Sequence, residues 1–116
     1  MLPQEFSIEY LQEIENKELV KKLILQIKKD TQMVGVDFEL NEESSPHELV
    51  NYLQIFLRNL IQNDFTTYVN LLYRVDIPEM KLLKLQNLEI SILVKKIAIL
   101  VLKKEWQKVW FRSKNL

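Results

Sequence analysis

NEESSPHELVNYLQIFLRNLIQND, residues 41–64, decides the fold class. Ser45, Pro46 and Glu48 form a capping box with proline at the first helical position. In that arrangement the serine hydroxyl and the glutamate carboxylate each satisfy a backbone N–H that a helix start leaves unpaired, and proline has no N–H to lose. Behind it, Leu49, Tyr52, Leu53, Phe56, Leu57, Leu60 and Ile61 recur at three- and four-residue steps on one face. The spacing predicts an amphipathic helix that ends near Asn63 and needs other helices to cover its apolar stripe.

Toward the C-terminus, Asp64 is placed to cap a short helix over 65–73, with Phe65, Tyr68, Val69, Leu72 and Tyr73 as its apolar positions. Residues 74–79 read as a connector. Arg74 complements the preceding helix dipole, Asp76 or Ile77 lies near the next cap, and Pro78 keeps Ile77 out of helical backbone. A final helix from about Pro78 to Phe111 would be about 50 Å long, against roughly 35 Å for the diameter of a domain this size. Either it breaks near Gln86 and Asn87, leaving a central helix of about 37 Å, or its end protrudes and a partner covers it. Residues 90–102 are apolar at ten of thirteen positions, all round the wheel, which predicts a helix buried on every side. Lys95 shares the stripe of Ile99, Leu102 and Trp106, so it is expected to snorkel or to meet a carboxylate.

Toward the N-terminus, Ile8, Leu11 and Ile14 mark a helix over 5–15. Leu19, Val20, Leu23, Ile24 and Ile27 form a second stripe on nearly the opposite face, so either one helix is buried on both sides or, as expected here, the chain kinks or breaks near Asn16, a good N-cap residue. Val34, Val36, Phe38 and Leu40 alternate with polar residues and Gly35. That segment is either an extended connector pinned on the bundle or a strand pairing with a symmetry mate. Gly35 is the only glycine in 116 residues, which argues against hairpins, phosphate-cradling loops and dinucleotide-binding turns. The expected architecture is all-α. It is a single domain over 1–116, a bundle of four or five helices with an extended connector around 33–45 and a long central C-terminal helix.

Charge is unevenly spread. Residues 77–116 hold nine Lys/Arg against three Glu, a net of +6, and residues 1–76 hold seven Lys/Arg against thirteen Asp/Glu, a net of −6. With no cysteine there is no disulfide, thiolate or Cys-ligated zinc chemistry. The longest apolar run, 97–102, is far short of the roughly 20 residues that cross a bilayer. The acidic, amphipathic N-terminus lacks the pattern of a secretory signal, and a cytoplasmic location is expected.

Candidates for chemistry are few. His47, the only histidine, lies in a capping turn where a positive charge is disfavoured. Glu5, Glu9 and Glu13 form a carboxylate ladder without the Glu-x-x-His motif of diiron bundles. The acidic loop Asp37, Glu39, Asn41, Glu42 and Glu43 lacks calcium-loop spacing and its turn glycine, and no serine stands in a nucleophile motif. No catalytic residue, metal ligand or cofactor is expected. The basic C-terminal helix supplies the candidate binding residues: the aromatics Trp106, Trp110 and Phe111, and the cationic stripe Lys104, Lys108 and Arg112.

The expected function is a small non-enzymatic module for protein–protein contact, self-associating as a homodimer. One alternative is an anionic-ligand or nucleic-acid binder on the basic helix, although a pI near 6.6 is low for nucleic-acid binding. Another is a small-ligand binder or enzyme with an inter-helical pocket around Tyr68, Arg74, Asp76 and Trp106.

Overall fold

The computed structural model describes residues 7–12 and 16–114. Six helices appear there: α1 (Ile8–Gln12), α2 (Lys17–Met33), α3 (Pro46–Asn63), α4 (Phe65–Val75), α5 (Glu79–Leu83) and α6 (Ile90–Lys114). No strand occurs among the described residues. The all-α bundle is as the sequence predicts, with one short helix more.

The chain breaks where local chemistry asks it to. Asn16 Oδ1 accepts from the backbone N–H groups of Glu18 (3.1 Å) and Leu19 (3.3 Å), and so starts α2. Gly35, at φ 87°, ends it, and the Val36 N–H donates back to the Thr31 carbonyl at 3.1 Å. That left-handed turn suits a residue without a Cβ. The capping box forms in full: Glu48 N–H donates to Ser45 Oγ (3.1 Å) and Ser45 N–H to Glu48 Oε1 (2.9 Å). The backbone and side-chain bonds from Ser45 hold the Glu48 carboxyl below its usual range. Asp64 closes α3 and opens α4, accepting from Thr67 N–H at 3.2 Å and Thr67 Oγ1 at 2.6 Å.

Between α2 and α3 the chain is extended, as its alternation predicts. Phe38 is buried edge-on against Tyr52 (4.9 Å) and Phe56 (5.1 Å), while Tyr52 Oη accepts from the Glu39 N–H at 3.2 Å. The connector is thus pinned to α3 at a buried ring and a backbone donor.

At the other end, Asp76 (φ 73°) and Asn87 (φ 68°) both take left-handed backbone, and α5 lies between them. The break at Asn87 settles the length problem. At about 1.5 Å per residue, α6 is close to 37 Å, and the long axis of the molecule is 38 Å. The helix fits, so its length no longer points to a partner.

α6 packs against α2, α3 and α4 through Val94, Ile97, Ala98, Val101, Leu102, Trp106 and Val109. The expectation of burial on every side is corrected: Ser91, Ile92, Lys95 and Lys96 are exposed. Among the described residues, helices cover only one side of α6, and its outer apolar residues are left half-buried or in solvent. Lys95 therefore stands in water rather than in the buried stripe. Lys95 sits at the edge of that face: the buried line of α6 is centred on Val94, Ala98, Val101 and Glu105, about a quarter turn round the helix from Lys95. The Ile14 and Glu13 readings, and that of Glu5, lie outside the described residues; Leu11 is fully buried and Glu9 exposed.

Candidate interaction groove

The sequence-derived binding residues separate into four environments. Trp106 is core, edge-on to Tyr10 at 6.3 Å and tilted against Trp110 at 6.2 Å. Trp110 and Lys104 are half-buried, and Phe111 and Arg112 are exposed near the end of α6. Lys108 turns inward, to a buried charge cluster that the sequence reading did not find.

Asp30 on α2 is the centre of that cluster and is 1% exposed. Its carboxylate accepts from Gln26 Nε2 (3.1 Å), Arg74 Nε (3.1 Å) and Lys108 Nζ (3.0 Å). Lys108 Nζ also lies 3.1 Å from Oε1 of Glu105, which is wholly buried. As an ionised carboxylate, Glu105 would have no aligned donor at either oxygen. As a neutral acid it can donate to Asp30.

The two acids are pushed apart accordingly. Burial, then the Asp30 hydrogen bond and the Asp30 charge, raise the Glu105 carboxyl to about 8 against the pull of Lys108. Burial also raises Asp30, but the bonds from Glu105, Lys108, Gln26 and Arg74 outweigh it and bring it down to about 2. For Lys108, burial pulls its affinity for a proton down, and the two carboxyls more than reverse this. Two cations, one carboxylate and one held proton thus tie α2 to α4 and α6. Part of the −6/+6 division is resolved here, inside the fold, by Asp30 and Lys108.

On another face, α4, α5 and the first turns of α6 leave a groove of about 580 Å³. That is within the 300–1,000 Å³ range of small-molecule sites. Leu72, Val69, Ile77, Leu82, Leu93 and Ile97 form its floor and walls. The burial of Tyr68 within the wall pushes its phenol up to about 12. The rim is what distinguishes it: Phe65 is 59% exposed, Tyr73 76% and Leu83 51%. Phe65 and Tyr73 were expected on the apolar stripe of α4. They lie on it, but among the described residues no helix covers that part of it. The lining includes the carboxylates Asp76 and Glu79 and no Lys, Arg or His.

Of the four residues of the expected inter-helical pocket, the groove gathers Tyr68 and Asp76 only. Arg74 is turned to Asp30, and Trp106 is packed near Tyr10. Among the described residues, no helix is long and apolar enough to cross a membrane. Comparison with protein-family models, with curated proteins and with solved structures finds no match.

Proposed function

We propose that this chain is a small helical protein–protein interaction module that self-associates, with the groove between α4, α5 and α6 as its docking face. The observation that carries the reading is the open apolar groove whose rim residues Phe65, Tyr73 and Leu83 stand in solvent. An enclosed cavity suits a small ligand; exposed aromatics around an open one suit a polypeptide that brings its own apolar side chains. The module is non-enzymatic in this reading, and the groove works by burial rather than by chemistry. The anion-binding alternative is weakened because Lys108, the middle of its cationic stripe, is engaged by Asp30 and Glu105.

Sedimentation equilibrium of the purified chain tests the proposal. The weight-average mass is expected to rise with concentration from 14.0 kDa toward twice that value. Leu83→Glu, at an exposed rim position, should raise the dissociation constant at least tenfold without loss of helicity. A wild-type chain that stays monomeric up to about 100 µM, where a pair with only ~5 kcal/mol of association energy already assembles, refutes self-association.

A further inference from the structure

The groove and the far end of α6 are complementary in chemistry and separate in space. The groove is apolar, and its charges, Asp76 and Glu79, are negative. The end of α6 presents Phe111, 56% exposed, beside exposed Arg112 and half-buried Trp110 and Lys104. An exposed aromatic there adjoins cationic side chains on the same helix.

A molecule cannot fill its own groove with this end. Ile97 lines the groove, and Phe111 lies fourteen residues along the same helix, about 21 Å away at 1.5 Å per residue. Two copies with their α6 helices antiparallel bring each end to the other's groove. The two contacts are then equivalent about a two-fold axis, and the assembly closes as a dimer instead of growing as a filament.

We propose that the groove is filled by the C-terminal end of α6 from a second copy of this chain, Phe111 entering between α4 and α5 and Arg112 lying against Asp76 and Glu79. The inference rests on the groove being the docking face, and it adds which segment docks. Phe111 supplies apolar burial, and Arg112 supplies orientation, because it meets carboxylates in one direction of approach only.

Mixing two defective variants tests this. Phe111→Glu has a sound groove and a spoiled end. Tyr73→Glu has a sound end and a spoiled groove, and Glu79→Lys is a second groove variant that alters charge alone. All three positions are exposed, so the folds should survive, as far-UV circular dichroism would verify. Each variant alone is expected to dissociate at least tenfold more readily than wild type. An equimolar mixture of Phe111→Glu with either groove variant keeps one sound contact, and should form dimer that neither variant forms alone. A mixture that stays monomeric overturns the proposal, because the contact then joins like surfaces. Phe111→Glu dimerising as wild type also overturns it while leaving the docking face standing. A monomeric wild type removes the docking reading itself.

Discussion

Replacing Glu105 with glutamine should stabilise the protein, and by an amount that grows with pH. The side chain is wholly buried, and its carboxyl is raised from 4.5 to about 8 on folding. The folded chain therefore holds a proton that the unfolded chain releases anywhere above pH 4.5. In that situation stability is fully present below the unfolded value and is lost as pH rises through the folded one. The slope is about 1.4 kcal/mol per pH unit, which gives roughly 3 kcal/mol lost by pH 7 and about 5 kcal/mol by pH 8 and above. Glutamine mimics the neutral acid: its amide can donate to Asp30, its carbonyl can face Lys108, and it has no proton to lose. Urea unfolding of both proteins, followed at 222 nm at pH 5, 7 and 9, measures the effect. The two should be nearly equal at pH 5, with the variant ahead by about 3 kcal/mol at pH 7 and by more at pH 9. Parallel pH profiles, or a variant weaker than wild type at pH 9, would refute the idea that Glu105 is buried as a neutral acid.

Asp30 acts in the opposite sense. Its carboxyl is lowered from 3.8 to about 2, so its contribution is present above pH 4 and is lost as pH falls toward 2. Asp30→Ala should cost about 3 kcal/mol at pH 7, less than a fully buried pair, because Arg74 and Lys108 can turn to solvent. The variant should also lack the acid limb of the stability profile, which acid titration followed by circular dichroism would show. Ser45→Ala removes the cap of α3 and should lower stability by about 1 kcal/mol, measured by urea unfolding. Gly35→Ala should cost about 1 kcal/mol through backbone strain alone, since a Cβ there meets nothing within 4 Å; thermal melting gives the sign.

Local signals in the chain were read correctly because each is complete within a few residues. Ser45, Pro46 and Glu48 mark the start of α3, Asn16 the start of α2, and the alternation from Val34 to Leu40 the extended connector. Length left two outcomes, a break near Gln86 and Asn87 or a protruding end covered by a partner, and the left-handed Asn87 shows that the chain takes the first. What escaped was non-local. Asp30 and Glu105 are 75 positions apart, and each looks like an ordinary surface charge on its own helix. A signal was present: Gln26 and Asp30 continue the buried line of Leu23 and Ile27, and Glu105 falls among Val101, Leu102 and Val109. Polar residues on an apolar stripe at this density mark a buried network rather than a solvated face. The groove was hidden for the converse reason. Phe65 and Tyr73 fit the apolar pattern of α4, and only the arrangement of α5 and α6 leaves them largely in solvent. Among the basic-helix residues, Trp106 was legible as a continuation of the core stripe, whereas the inward turn of Lys108 depended on Asp30.

The wall formed by α5 has an energetic consequence of its own. No residue of Glu79–Leu83 is buried, and the helix is joined to the bundle through left-handed Asp76 on one side and left-handed Asn87 on the other. Its amide hydrogens are therefore guarded by one turn of helix and little else, and should exchange with solvent through local opening, far below the free energy that unfolds α2, α3 and α6. Anything that settles in the groove would lay a second layer over those amides. Their exchange rate then works as a local gauge of occupancy, slowing as the groove fills even where the stability of the whole chain hardly moves.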